Sequence, residues 1–271
     1  MASPNILKPF LRWAGGKGWL LKHLEGLLPR NGFLNYHEPF LGGASVFLYL
    51  KPQNISYLSD LNAELISAYV ALRDQPVEII NTLSTYKNTE KFYYKIRNSM
   101  PHTETERAAR FIYLNQTSFN GIYRVNLKGE YNVPYGYRNK SFLDTECLLS
   151  VSKALQGTVL RSGDFDIVRE NLQANDLVFL DPPYTVSHNN NGFIKYNQKI
   201  FSLEDQIRLS ELVNFINDSG AFYILTNAAH RAIEEIFDNG DRRIELQRAS
   251  TIGGVNAQRG QTSEYIFTNI L

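Results

Sequence analysis

Apolar and polar positions along the chain fall into three stretches of different rhythm. In residues 1–73 and 148–271, short apolar runs bounded by turn residues alternate with segments of helical period, the pattern of a sheet joined by crossover helices. In the first stretch, Trp19 to Leu28 reads as a short helix stopped by Pro29 and Phe33 to His37 as a strand. Val46 to Leu50 reads as the start of a helix, Ile55 to Leu58 as a second strand, and residues 61–73 as a helix. The last stretch predicts a helix over Leu148 to Leu155, a strand over Thr158 to Arg161 ended by a turn at Ser162 to Phe165, and a strand over Leu177 to Leu180. It continues with a helix from Ser202 to about Asn217, a strand over Ala221 to Thr226, a helix over Ala228 to Phe237 and late strands over Arg243 to Gln247 and Tyr265 to Asn269. Ser202 with Asp205 three residues on is a capping-box pattern. Residues 74–147 are helical up to about Asn115. There Ile122 to Leu127 and Glu130 to Val133 flank Lys128-Gly129 as a hairpin with alternating side chains, which puts Arg124, Asn126 and Lys128 on one face. Neither α/β block holds enough strands alone, so the two combine into one sheet and the middle stretch is an insertion.

Charge changes this picture more than composition does. The net charge of +1 points to no particular partner, but residues 83–144 hold ten Lys or Arg against five Asp or Glu. A basic insertion in a mildly acidic frame fits a phosphate-binding footprint, and equally a solvated helical surface. A two-stranded ribbon fits a DNA major groove. Cys147 is the only cysteine, which rules out an intrachain disulfide and a cysteine-based metal site and suits a reducing cytosol. No stretch approaches the roughly 18 apolar residues of a membrane span, and Met1 to Lys8 lacks the apolar core of a signal peptide. No cluster of metal-ligand type stands out, so no metal is expected.

The candidate chemistry gathers at strand ends. Leu177 to Leu180 is a buried parallel-strand run that breaks into Asp181-Pro182-Pro183-Tyr184. A carboxylate, a carbonyl released from strand pairing and an aromatic ring thus leave the C-terminal end of a strand, the edge where open α/β sheets bind ligands. An amine on an aromatic ring is a poor nucleophile because its lone pair is delocalised. Two adjacent acceptors, the Asp181 carboxylate and the Pro182 carbonyl, would take its N–H groups and turn the lone pair outward, while Tyr184 stacks on the ring. The same four residues also fit a plain strand-ending turn. Upstream, Leu11-Arg12-Trp13-Ala14-Gly15-Gly16-Lys17-Gly18 is glycine-rich, but it lacks the first glycine and the Ser/Thr of a Walker phosphate loop. Glu38-Pro39-Phe40-Leu41-Gly42-Gly43 is a strand–turn–helix opening of nucleoside-binding type. Asp60, 18 residues after Gly42, suits either a ribose-binding acid or the N-cap of the helix that follows. The polar run Thr185 to Gly192 reads as a lid.

Five motifs in order, Phe10 to Lys17, Glu38 to Gly43, Ser59-Asp60-Leu61-Asn62, Gly163-Asp164-Phe165 and Asp181 to Tyr184, resemble the DNA adenine methylase (Dam) family. The resemblance implies a Rossmann-like methyltransferase sheet, mixed and mostly parallel, with an inserted helical target-recognition domain carrying a β-hairpin. It divides the chain into a discontinuous catalytic domain, 1–73 and 148–271, and a recognition domain, 74–147. It implies methyl transfer from S-adenosylmethionine to N6 of an adenine flipped out of double-stranded DNA. Trp13, Lys17, Glu38, Phe40, Gly42, Asp60, Asp164, Phe165 and Asp181 would meet the cofactor, and Asp181, Pro182 and Tyr184 the base. Phe119-Asn120-Gly121-Ile122-Tyr123-Arg124 and Asn132-Val133-Pro134-Tyr135-Gly136 resemble the recognition hairpin of members that methylate GATC. There Arg124 would read a guanine, Ile122 and Pro134 the thymine methyl region, and Phe119 would wedge into the stack, with Asn120 and Asn126 beside them. Arg12 stands where some members carry a guanine-reading lysine, and Tyr137-Arg138-Asn139-Lys140 departs from the commoner Arg-Tyr order. The implied protein is a monomer acting in the bacterial cytoplasm, encoded by a bacterium or a phage, with or without a partner nuclease. An N4-cytosine methyltransferase and a catalytically silent DNA-binding relative are the rival readings.

Overall fold

The computed structural model describes residues 7–126, 128–184, 201–249 and 261–271. The lid expected at residues 185–192 lies outside them, as does most of the N-terminal segment. Among the described residues, seven strands form one sheet in the order β3-β2-β1-β4-β5-β7-β6, with β1 Tyr36–Glu38, β2 Ser56–Asp60, β3 Val159–Ser162, β4 Leu177–Leu180, β5 Phe222–Ala228, β6 Arg242–Ala249 and β7 Gln261–Thr268. β1, β4 and β5 run parallel. β7 is antiparallel to both β5 and β6. The two late strands, expected over Arg243 to Gln247 and Tyr265 to Asn269, are eight residues each. Their pairing to each other carries the ladder past the apolar residues.

Among the described residues the helices are α1 Leu21–Leu24, α2 Ser45–Leu50, α3 Ala63–Asp74, α4 Pro76–Ser84, α5 Glu90–Arg97, α6 Glu104–Thr117, α7 Thr145–Ala154, α8 Leu203–Asp218 and α9 Arg231–Phe237. The expected helix over residues 19–28 shrinks to one α-helical turn followed by a 3-10 turn at Glu25–Leu27. Gly26 gives little helix propensity there, and α1 has no side-chain cap. α9 begins at Arg231 rather than Ala228, because β5 continues to Ala228 and His230 caps the helix by accepting from the Ala232 N–H. α8 carries the Ser202–Asp205 capping box.

The chain forms two compact units. One comprises Met1–Gly18, Leu41–Pro52 and Leu58–Gly163; the other comprises Trp19–Phe40, Gln53–Tyr57 and Asp164–Leu271. In the first unit, α6 packs on α3 and α4, and these helices bury Leu65, Tyr69, Ile79, Leu83, Ala109, Ile112 and Leu114. In the second, Val178, Leu180, Tyr223 and Leu225 of the sheet meet Leu209, Leu212, Val213 and Ile216 of α8 in one apolar cluster.

The parallel core of the second unit is fastened at its N-terminal edge by Asp176. Its carboxylate, fully buried, accepts from the Asn35 and Gln173 backbone N–H groups and pairs with His37 Nε2 at 2.9 Å. Burial by itself raises this carboxyl's pKa, but the hydrogen bonds from His37 and the two amides outweigh burial and hold it below its ordinary value. Asp176→Ala is expected to lower unfolding free energy by about 3–5 kcal/mol, read from urea titration. The folded pKa is the depressed one, so the Asp176 contribution is complete above the ordinary carboxylate pKa. It is lost as pH falls through the lowered folded value. A wild-type acid-unfolding profile in the variant would contradict this assignment.

Candidate active site

Strand order reverses between β1 and β4, and open α/β sheets bind ligands at the C-terminal strand ends beside such a reversal. Both strands are wholly buried. β1 ends on Glu38, itself buried, whose Oε2 accepts from the Tyr36 hydroxyl at 2.9 Å. Burial first, and the Glu38 charge second, push the Tyr36 hydroxyl's pKa well above its usual value, so this O–H stays a donor. β4 ends on Leu180, and Asp181 follows.

Register decides what Asp181 meets. Leu180 pairs with Leu225, so Asp181 comes level with Thr226 on β5. The Thr226 hydroxyl donates to Asp181 Oδ1 at 2.8 Å. Pro182 is buried and Tyr184 half-buried. β7 returns antiparallel, pairing Ala228 with Glu264, which brings Glu264 to the same sheet edge. There Glu264 Oε2 accepts from the Tyr184 hydroxyl at 2.5 Å. Neither Thr226 nor Glu264 was singled out from the sequence. Thr226-Asn227 does leave an apolar strand with polar residues as Asp181 does, which was a usable signal. Glu264 offered none, because its partner is 80 residues away.

In the same unit, Asp164 caps a 3-10 segment, Phe165–Glu170, by accepting from the Asp166 N–H. Its half-exposed carboxylate also accepts from Arg208 of α8, at 2.8 Å to Nη2. Phe165 is buried: Phe40 stacks on it at 5.6 Å, Phe201 lies against it, and the Arg208 guanidinium sits over it at 4.8 Å. The Phe165 side chain is therefore core, and its backbone is what the turn presents.

The first unit holds the other expected cofactor residues. Asp60 ends β2 and accepts from two backbone N–H groups, Gly42 at 3.0 Å and Asn62 at 2.9 Å. The N-cap of α3 is Asn62, whose side chain accepts from the Leu65 N–H. The alternative of Asp60 as the cap is thus ruled out, because the helix starts two residues later than the pattern indicated. Burial raises the Asp60 carboxyl's pKa, and the bonds from Asn62 and Gly42 oppose that rise. Gly42 has φ +47°, and a Cβ there would come 2.8 Å from Trp13 Cδ1, so the turn and the indole fit only around glycine. Trp13 packs against both Phe111 and Tyr123, which also meet each other at 5.2 Å. Lys17 is buried, with Nζ donating to the Gly15 carbonyl at 2.9 Å.

The expected hairpin forms as a bridged loop without continuous strands. Ser118 bridges Tyr135 and Val125 bridges Tyr131. Between these bridges a 3-10 turn at Phe119–Gly121, with Asn120 at φ 54°, breaks the ladder. The turn is closed by Asn126 and Glu130, not by a two-residue Lys128-Gly129 loop. Asn126 Oδ1 accepts from the Lys128 and Glu130 N–H groups, which draws Asn126 into the turn and away from a face shared with Arg124 and Lys128. Leu127 lies outside the described residues. Phe119, Asn120, Arg124 and Pro134 are exposed, and Ile122 is half-buried. Arg124 Nε donates to Asn132 Oδ1 at 2.8 Å. Arg12 lies in this unit too. Its guanidinium donates to the Ser118 carbonyl at 3.2 Å, and Gly121 leaves room for its Cβ, since a Cβ on Gly121 would fall 2.5 Å away. Burial, then the nearby Arg138 charge, lower the Arg12 pKa.

A family model for D12 class N6 adenine-specific DNA methyltransferases matches residues 13–252. The chain belongs to this family. Among relatives of this methyltransferase, the type II methyltransferase M1.LlaDCHI of Lactococcus lactis subsp. cremoris is 36% identical, over 97% of this chain and 95% of its own. The type II methyltransferase M.MjaIII of Methanocaldococcus jannaschii is 37% identical over 82% of this chain and 84% of its own. The DNA adenine methylase of Escherichia coli K12 is 33% identical over 76% of this chain and 75% of its own. Among the described residues of the methyltransferase, no helix is long and apolar enough to cross a membrane, and no His, Cys, Asp and Glu group of three or more is arranged to hold a metal.

Proposed function

We propose that this methyltransferase uses S-adenosylmethionine to methylate N6 of an adenine flipped from double-stranded DNA, within GATC. One observation carries the proposal: the Asp181 to Tyr184 tetrad leaves a buried strand where the sheet order reverses, with its carboxylate anchored by Thr226. The acceptors present suit the cofactor. An ionised carboxylate has about four acceptor sites, and Asp60 uses two on backbone amides, which leaves capacity for a ribose diol. Asp164 would take the amine of the cofactor adenine, and the backbone at Phe165 its ring edge. Glu38, Phe40, Gly42, Trp13 and Lys17 would complete the set. The cofactor supplies an activated methyl group.

On the substrate side, Asp181 and the Pro182 carbonyl accept the two amine hydrogens of the target adenine. That turns the nitrogen lone pair out of conjugation and toward the methyl group. An exocyclic oxygen would meet two acceptors and be repelled. Tyr184 stacks on the extruded base, an interaction worth about 1–3 kcal/mol. Residues 74–147 act as the recognition domain, inserted in a catalytic domain of 1–73 and 148–271. Arg12, Phe119, Asn120, Ile122, Arg124, Asn126 and Pro134 serve the DNA, and the protein works as a monomer in the cytoplasm.

Mapping of methylated bases in DNA from a host expressing the protein tests this reading. N6-methyladenine at GATC is expected; N4-methylcytosine without N6-methyladenine would overturn it, and so would GATC binding with no methyl transfer. Specificity has a sharper test at Arg124. With Nε held by Asn132, its terminal nitrogens form the fork that matches a guanine O6/N7 edge. Arg124→Ala is expected to relax preference at one base pair, at a cost of about 1–3 kcal/mol in discrimination. A library of singly substituted sites reads the effect, and an unchanged preference contradicts the role.

A further inference from the structure

We propose that Glu264 is a positioning residue for methyl transfer: through the Tyr184 hydroxyl it fixes the ring on which the target adenine stacks. The proposal rests on the stacking role given to Tyr184. Glu264 is 1% exposed on β7, with Ala228 and Leu246 as its register partners and Ile266 and Phe267 following it into the core. A buried carboxyl in an apolar rung is expensive unless hydrogen-bonded. Here it accepts the Tyr184 O–H at 2.5 Å, across 80 residues of sequence. Tyr184 itself follows two prolines on a segment that has left the sheet. Its backbone is held by Pro183 on one side, and its ring turns about two side-chain angles. A bond at the hydroxyl pins the far end of the ring to the rigid sheet. Thr226 fixes the Asp181 carboxylate from β5 in the same way. Both groups that meet the adenine are thereby held from strands of the core, which limits the entropy lost on reaching the reactive geometry.

The test uses a duplex with one target site at saturating cofactor. It follows single-turnover transfer, the emission of 2-aminopurine placed at the target adenine, and cofactor affinity. Glu264→Ala and Tyr184→Phe are each expected to slow transfer roughly tenfold, the scale of one lost hydrogen bond, with cofactor affinity within about twofold. Each should also raise 2-aminopurine emission, because the ring no longer stays over the base. Glu264→Gln keeps an acceptor oxygen and should recover most of the rate. In a Tyr184→Phe background, Glu264→Ala should add nothing further. A full second loss in that background would overturn the proposal, since Glu264 would then act other than through the hydroxyl. Wild-type transfer in Glu264→Ala, with Tyr184→Ala impaired, would also overturn it while leaving the stacking role intact. If Tyr184→Ala is itself silent in rate and emission, the stacking role fails and the proposal with it. If Glu264→Ala does not fold, Tyr184→Phe and Glu264→Gln decide the matter, because the hydroxyl lies on a segment outside the sheet. Wild-type rate and emission in Tyr184→Phe would overturn the proposal.

Discussion

Asp181→Ala is expected to lower single-turnover methyl transfer by about 10²- to 10³-fold while cofactor binding stays measurable. Removing one preorganised polar group aimed at a reacting centre costs about 3–4 kcal/mol. Asp181 has that preorganisation: the end of β4 sets its backbone, and the Thr226 hydroxyl fixes Oδ1 at 2.8 Å. Without the carboxylate, the Pro182 carbonyl accepts one amine hydrogen, and nothing turns the lone pair toward the methyl group. Asp181→Asn should fall between the two, since its amide keeps one acceptor oxygen but can present a donor to an N–H. Rapid-quench transfer to a single-site duplex, with calorimetry of cofactor binding alongside, measures both. Turnover like that of the wild type in Asp181→Ala would refute the role.

Asp60→Ala is expected to weaken S-adenosylmethionine binding by roughly 100-fold, about 3 kcal/mol, the scale of losing a charged acceptor. The carboxylate joins the Gly42 turn to the start of α3 through two backbone N–H bonds. Its loss therefore loosens the turn as well as removing the acceptor proposed for the cofactor ribose. Asn62→Ala is the control, because Asn62 caps the helix. That variant should lose about 1 kcal/mol of stability with little change in cofactor affinity. Equal effects of the two substitutions on affinity would show that Asp60 only supports the helix start.

The α/β blocks, the strand Leu177–Leu180, the Ser202 capping box and the five motifs were legible because each depends on residues close in sequence. Phe165 shows the limit of that. Its motif resembled a cofactor-binding turn, but the ring is buried under Phe40, Phe201 and Arg208, a packing that only contacts from distant segments reveal. The hairpin shows another limit. Alternation predicted two strands, yet Asn120 in a left-handed conformation and the Asn126 side chain in the turn reshaped it into a bridged loop. For Asp60, a start of α3 two residues later than the pattern indicated separated the cap from the acid.

The sequence by itself determined the family and the reaction class, and its motifs named the candidate site residues, because short motifs at the ends of strands encode local backbone and side-chain chemistry together. Only the tertiary structure decided what holds those residues. Asp181 meets Thr226 through the register of β4 on β5, and Tyr184 meets Glu264 through the antiparallel return of β7. Register and return are properties of paired strands far apart in the chain, and no local pattern specifies them.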